Sequence, residues 1–296
     1  MANDGKQNFL VDAVELAKQR NDNKVQHFLP GWMRRLMRPF PWLYDRYTYW
    51  TQVRRLLSYV NSEHNFFKIP STSKDIYNSR GDYEHRGYEQ ETTLGRVNGK
   101  IKRVSRRWLR DMYCAYLWPQ IDALLAGREK IKILEIGCGN CINLVLIKQK
   151  YGPRVELTGY DISHRRIEVA RDYFGAELDG VELKVCSATD PVPAAERGAF
   201  DLVFSMHCLE QIPFAVQQAV EGVCERSSGL AVMIEPVFEF ARPEQKLYLI
   251  YSDFVRTLLP TVAYLGYRIT RAEPLAIEST LKNQSSIIVV DRRPAS

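Results

Sequence analysis

The sequence predicts an α/β fold built on a doubly wound parallel sheet, and three observations lead to this prediction. A buried strand pattern at 131–136 runs into Gly137-Cys138-Gly139, and a helix pattern begins at about residue 140. Strand and helix patterns then alternate, as parallel strands joined by crossover helices require. The chain closes with two strand patterns, at about 267–275 and 285–291. We therefore expect the glycine turn to cradle a phosphate or a nucleoside.

The elements between these landmarks follow the same alternation. Strand patterns lie at 154–160, 181–186, 200–205 and 229–235, and helix patterns lie at 163–174, 213–226 and 244–259. The last strand contains Ser-Ser-Ile-Ile-Val-Val, which is apolar enough to lie between other strands. From residue 129 to residue 296 we therefore expect one sheet domain.

The first 128 residues predict a different, mainly helical unit, a basic N-terminal cap. Helix patterns lie at about 7–20, at 44–60 with Tyr47, Trp50 and Val53 on one side, and at 104–126 with a kink at Pro119. Prolines divide residues 28–43 into short turns. Residues 61–100 form an irregular loop, except that Asn98-Gly99 predicts a tight turn.

Charge separates the two units. The chain carries a net charge of +6, with 23 Lys and Arg against 14 Asp and Glu in residues 1–130 (+9) and 18 against 21 in residues 131–296 (−3). The cap is also rich in Trp and Tyr around residues 28–60. Four interpretations are open: a cap packed on the domain with solvated arginines, a lid over a substrate, a peripheral contact with an anionic membrane, or a nucleic-acid surface.

Cysteine usage and the lack of targeting signals predict a cytoplasmic protein. The six cysteines lie in apolar or turn patterns, as reduced core cysteines do. Cys138 and Cys141 form a CxxC inside the glycine turn, which could be a structural pair or a redox pair. The sequence has no second CxxC and no His pair that would complete a zinc site, so we expect no metal. The sequence has no apolar run of about 18 residues, so we expect no transmembrane helix, and its first residues have no signal-peptide layout.

Residues 131–291 resemble a class I S-adenosylmethionine-dependent methyltransferase. Glu135-Ile-Gly-Cys-Gly matches the family's first motif, Asp161 ends the second strand about 20 residues later, and Phe200 to Pro213 resembles the fourth strand and its loop. The resemblance implies a seven-stranded sheet of order 3-2-1-4-5-7-6 with strand 7 antiparallel. It also implies S-adenosyl-L-methionine as cofactor, bound by Glu135, Gly137, Cys138, Gly139, Asp161, Ile162, Ser187, Ala188 and Met206.

Two positions depart from the family pattern. Ser187 stands where an acid usually borders the adenine, and Asp190 follows three residues later. Cys141 replaces the third glycine of the first motif, which predicts a right-handed backbone at that position. Asp161 keeps its expected role, which is to bind both ribose hydroxyls, while Ser163 is the better N-cap for the following helix.

The resemblance also implies the type of chemistry. The sulfonium makes its methyl group electrophilic, so the protein has to align donor and acceptor and to remove a proton when the acceptor is a hydroxyl. His207 is the candidate general base, followed by Glu210 and then Glu235. We expect a polar or anionic small molecule as acceptor: a sugar, a phosphorylated compound or a natural-product intermediate. An RNA methyltransferase and a non-catalytic nucleoside-binding scaffold are the alternatives.

Overall fold

The computed structural model describes residues 30–60, 92–252, 254–278 and 283–293 of the 296-residue chain. The helix expected at 7–20 and most of the loop expected at 61–100 lie outside these residues. The helices are α1 (Gly31–Met37), α2 (Pro41–Val60), α3 (Arg106–Cys114), α4 (Trp118–Leu125), α5 (Ile142–Tyr151), α6 (His164–Phe174), α7 (Val216–Glu225), α8 (Pro243–Tyr251) and α9 (Leu258–Tyr264).

The strands form two sheets. Their bounds are β1 (Thr92–Val97), β2 (Lys100–Ser105), β3 (Ile131–Ile136), β4 (Val155–Asp161), β5 (Glu182–Val185), β6 (Phe200–Met206), β7 (Ser227–Pro236), β8 (Ile269–Pro274), β9 (Ile277–Glu278) and β10 (Ser285–Asp291). The larger sheet has the order β5-β4-β3-β6-β7-β10-β8, with β10 antiparallel to both neighbours and the five strands before it parallel. The predicted order 3-2-1-4-5-7-6 is confirmed.

Helices cover both faces of this sheet, which is why its central strands are continuous apolar runs. Along β3, Ile131 and Ile133 join the core shared with α3, α4, α5 and α6, whereas Leu134 and Ile136 join the core shared with α7 and α9. Side chains alternate between the two faces of a strand, so Glu135 points to the same face as Ile131 and Ile133. A fully buried carboxylate therefore lies beneath α3 and α5, at the carboxyl end of the central strand.

The cap is a mixture of helices and strands, whereas the sequence predicted a mainly helical unit. β1 and β2 form a hairpin through the expected Asn98-Gly99 turn, in which both residues have positive φ. β9, which comes from near the other end of the chain, pairs with β1. The strands were missed because the period-2 pattern of Thr92–Ser105 is weak: β2 is largely exposed and its polar residues interrupt the alternation.

Two predicted helices are divided in the structure. The pattern at 104–126 yields α3 and α4 with a break at 115–117, and Pro119 lies in the first turn of α4, where its missing N–H costs nothing. The pattern at 244–259 yields α8 and α9. Along residues 41–54 of α2 the buried side chains are Tyr44, Tyr47, Thr48 and Gln52. Trp50, expected on the same side as Tyr47, is instead 64% exposed.

An ion network fastens the cap to the sheet domain. Glu278 on β9 is buried and accepts hydrogen bonds from Arg96 of β1, and from Arg242 and Gln245 at the start of α8. Arg96 also pairs with Asp45 of α2. The Glu278 carboxylate thus joins β9, β1 and the start of α8, and the Asp45 carboxylate adds α2 to this network. Within the described residues, no helix combines the length and the apolar character needed to span a bilayer.

Candidate active site

The candidate site lies where the parallel strands end at their carboxyl edge. The turn after β3 contains Gly137 with φ +75° and Gly139 with φ +50°. A Cβ at Gly137 would overlap Cys208 Sγ, so only glycine allows this close approach between the two loops. The glycine turn after β3 and the turn after β6 are therefore in direct contact.

Asp161 fastens the glycine turn to the end of β4. Its Oδ2 accepts from the Gly139 N–H at 2.8 Å and its Oδ1 accepts from the Ser163 N–H at 2.8 Å. Ser163 Oγ in turn accepts from the Arg166 N–H at 3.2 Å, so the predicted N-cap is confirmed. Each carboxylate oxygen has two acceptor positions, so these bonds are compatible with further donors.

Cys141 corrects one prediction, since its φ is +60° and its backbone is left-handed. Its N–H donates to the Cys138 carbonyl at 2.7 Å, which closes a tight turn just before α5 and holds Cys141 in this conformation. The two thiols are 3.9 Å apart and buried, and all six cysteines are free. The hydrogen bond between the two thiols and burial raise the pKa of Cys138 well above its ordinary value, which disfavours the reactive thiolate.

Glu135 is fully buried beneath the glycine turn. Its Oε1 accepts from Asn143 Nδ2 at 2.6 Å, whereas its Oε2 has no hydrogen-bond partner among the described residues. Burial raises the pKa of Glu135 to about 8, although Asn143 and the positive charge of Arg110 on α3 act in the opposite direction. A buried acceptor without a donor, next to a positively charged side chain, fits a polar ligand that supplies the missing hydrogen bond.

The turn after β6 presents His207 in a left-handed conformation, with φ +56°. Its Nδ1 lies 3.3 Å from Glu210 Oε2 and its Nε2 lies 3.0 Å from Ser285 Oγ. Ser285 Oγ is also 3.0 Å from the hydroxyl of Tyr113, whose ring packs edge-on against the imidazole. With its proton on Nδ1, where the ring faces the Glu210 carboxylate, the neutral imidazole can accept at Nε2.

Glu235, the third candidate base, instead holds this turn in place. Its Oε1 accepts from the N–H groups of Cys208 and Leu209 at 3.0 and 3.1 Å, and its Oε2 accepts from the Glu210 N–H at 3.3 Å. Glu235 is fully buried, and this burial together with the nearby Glu210 carboxylate raises its pKa to about 7. The carboxylate therefore orients the segment that carries the other two candidates.

The loop after β5 folds on itself. Asp190 Oδ2 accepts from the Ser187 N–H at 2.8 Å, and Ser187 Oγ lies 2.9 Å from Thr189 Oγ1. Ala188 is buried against α7, where a Cβ on Gly222 would meet the Ala188 carbonyl. Asp190 thus shapes the loop in which Ser187 replaces the usual acid.

The structure brings the predicted site residues to one edge of the sheet. They lie at or just after the carboxyl ends of β3, β4, β5 and β6. They are Glu135 with the glycine turn, Asp161 with Ile162, Ser187 with Ala188, and Met206 with His207 and Glu210. Sequence reasoning missed Tyr113, Ser285, Asn143 and Asn283, whose amide donates to Glu210 Oε2 at 3.3 Å. Ser285 is 78 residues from His207, and only the position of β10 in the sheet joins them.

This sheet order, with the glycine turn and an acid at the ends of adjacent strands, defines the class I methyltransferase fold. Residues 133–226 match a family described as a methyltransferase domain. The chain is 34% identical over 150 residues to a ubiquinone biosynthesis O-methyltransferase of Thiobacillus denitrificans, a match that covers 48% of this chain and 58% of that protein. The chain thus spans little more than half the length of this curated relative.

A solved structure shows the same fold at low sequence identity. The [4+2]-cyclase SpnF is 14% identical with a TM-score of 0.54, over 76% of this chain and 98% of that one. A geranyl diphosphate C-methyltransferase from Streptomyces coelicolor A3(2) is 11% identical with a TM-score of 0.47, over 76% and 100%. On the family match and the sheet order, residues 133–226 belong to a class I S-adenosylmethionine-dependent methyltransferase domain.

Proposed function

We propose that this protein transfers a methyl group from S-adenosyl-L-methionine to a hydroxyl of a polar or anionic small molecule, with His207 as the general base. One observation carries the proposal: the glycine turn and the His207 turn touch at Gly137 and Cys208. A donor held by the first turn is therefore adjacent to a base held by the second. The O-methyltransferase relative supports oxygen as the reacting atom.

Side chains of suitable chemistry line each part of the cofactor position. Asp161 would accept from the ribose hydroxyls, since its carboxylate ends β4 beside the glycine turn. Ile162, Ser187 and Ala188 would border the adenine. Glu135, with its unpartnered Oε2, would accept from the ammonium of the methionine part, and Met206 would pack near the methyl group.

His207 is arranged to receive a proton at Nε2. The bound cofactor supplies an electrophilic methyl group. The imidazole would take the proton of an acceptor hydroxyl at Nε2, and this would leave the acceptor oxygen free to receive the methyl group. Glu210, 3.3 Å from Nδ1, stabilises the imidazolium that forms, and Asn283 fixes the Glu210 carboxylate. The acceptor hydroxyl must take the place of Ser285 Oγ beside Nε2.

Titration calorimetry with S-adenosylmethionine tests the cofactor assignment. We expect the wild-type protein to bind and Asp161→Ala to bind about 10- to 100-fold more weakly, because hydrogen bonds to a charged group are lost. Asp172→Ala, at an exposed site on α6, is the matched control and should bind as wild type does. Failure of the wild-type protein to bind, or full affinity in Asp161→Ala, would contradict the proposal.

Transfer of a labelled methyl group to a panel of hydroxylated small molecules tests the base. We expect His207→Ala to keep cofactor affinity and to lose about 10²- to 10⁴-fold in turnover, as removal of a general base does. His164→Ala, an exposed histidine on α6, should have wild-type turnover. Wild-type turnover in His207→Ala would exclude the assignment.

A cofactor-binding protein that does not transfer methyl groups is the second candidate. It is favoured by the fact that both ring nitrogens of His207 already have partners within the chain. The likeness to a cyclase of the same fold supports only the fold. Cofactor binding in calorimetry without transfer to any class of acceptor would favour this candidate.

A further inference from the structure

The outer surface of the cap concentrates exposed apolar side chains. Among the described residues ten large hydrophobic side chains are exposed, and half of them lie between residues 32 and 50. They are Trp32, Leu36, Phe40, Trp42 and Trp50, and each is more than half exposed. The other five lie apart from this cluster, at Trp108, Tyr173, Val185, Phe214 and Tyr264. We call the clustered set, with the arginines among it, the Trp–Arg face. An apolar cluster of this kind marks an interaction surface.

Helical spacing makes the Trp–Arg face continuous. On α2, Trp42, Arg46, Trp50 and Arg54 are exposed and follow one another at intervals of four residues, so they form one stripe. On α1, Trp32 and Leu36 are also four residues apart, and Phe40 lies in the short connection between the helices. The opposite side of α2 is buried against the β1–β2 hairpin and α8, so the stripe faces outward.

The charge of this region is almost entirely positive. Residues 30–60 contain six arginines, no lysine, no glutamate and one aspartate. The aspartate is Asp45, which pairs with Arg96 in the ion network on the inner side. The outward surface therefore presents guanidinium groups, which bind phosphate oxygens in a forked geometry, interleaved with tryptophans, which favour the boundary between water and lipid.

We propose that the Trp–Arg face binds the surface of a bilayer that contains anionic phospholipids. Leu36 and Phe40 would enter the apolar layer, the tryptophans would lie at the headgroup level, and the arginines would pair with lipid phosphates. Two other occupants fit less well. A second copy of the chain would bring like charges together, and single-stranded RNA is bound in a basic groove rather than on an outward helix face with aliphatic residues.

Co-sedimentation of the full chain with vesicles tests this proposal, which does not depend on the methyl transfer. We expect binding to vesicles of phosphatidylcholine mixed with phosphatidylglycerol, and much weaker binding to phosphatidylcholine alone. Arg35→Gln and Arg46→Gln should each weaken binding about fivefold, the usual effect of one basic residue near an anionic surface. Trp42→Ser and Trp50→Ser combined should abolish binding. Arg171→Gln and Tyr264→Ser alter exposed residues on α6 and α9 and should bind as wild type does.

Three results would overturn the proposal. The first is failure of the wild-type chain to sediment with anionic vesicles at low salt. The second is equal loss of binding in the Trp42/Trp50 and Tyr264 variants, since the Trp–Arg face would then have no special role. The third is that the wild-type chain does not bind vesicles but binds RNA or forms dimers, and that the Trp42/Trp50 variant loses this RNA binding or dimerisation. The Trp–Arg face would then bind RNA or a second copy of the chain.

Discussion

Glu135→Gln should make the stability of the ligand-free protein less dependent on pH. The native pKa of Glu135 is about 8, against an ordinary value of 4.5, because the carboxyl is fully buried. At pH values between these two pKa values, Glu135 is therefore protonated in the native state and ionised in the unfolded chain. For an acid with a raised pKa, stability is full below the unfolded value and declines as pH rises toward the native value.

The size of the effect follows from these two values. Between about pH 5 and about pH 8 the raised pKa would cost at most about 3–4 kcal/mol of unfolding free energy. Relaxation around the carboxylate lowers this, and we expect about 2 kcal/mol. The glutamine keeps an oxygen that can accept from Asn143 Nδ2, so the variant should equal wild type near pH 5 and exceed it near pH 8. The buried Glu235 adds to the pH dependence of wild type and of Glu135→Gln alike, so its contribution cancels when the two proteins are compared.

Urea unfolding at several pH values between these limits measures the effect. The unfolding free energies of wild type, Glu135→Gln and the control Glu182→Gln, whose side chain is exposed on β5, are compared at each pH. The control should follow wild type. A Glu135→Gln profile parallel to wild type across the whole range would refute the reasoning, because another group would then cause the pH dependence.

Two further predictions concern the cap and the glycine turn. Glu278→Ala should lower the unfolding free energy by about 3–5 kcal/mol in urea, because Arg96 and Arg242 lose a buried partner. Glu273→Ala, an exposed ion-pair residue, should cost less than about 1 kcal/mol, and an equal cost for both would contradict the network's role. Gly137→Ala should abolish cofactor binding in calorimetry, since its Cβ would overlap Cys208; Gly152→Ala also has positive φ but open space, so it should retain binding.

The sequence predicts the order of the strands in the sheet but not the contacts around His207, because those contacts form between segments far apart in the chain. Central strands such as β3 and β10 are buried on both faces, so their apolar runs stand out and β10 was placed at 285–291. The right-handed backbone predicted for Cys141 is wrong, because its left-handed conformation depends on a turn in which its N–H donates to the Cys138 carbonyl. Ser285 has no local signal, since its hydrogen bond to His207 exists only after β10 has joined the sheet.

The backbone of His207 gives the strongest reason to connect this site with function. A left-handed conformation costs a residue with a Cβ about 1 kcal/mol, and such strain persists only where the surroundings over-determine it. Here the His207 N–H donates to the Ile234 carbonyl at 3.0 Å, and the Glu235 carboxylate binds the three N–H groups that follow. A fully buried carboxylate is itself unfavourable. Two unfavourable features thus serve to aim one imidazole beside the glycine turn, an arrangement that packing alone does not require.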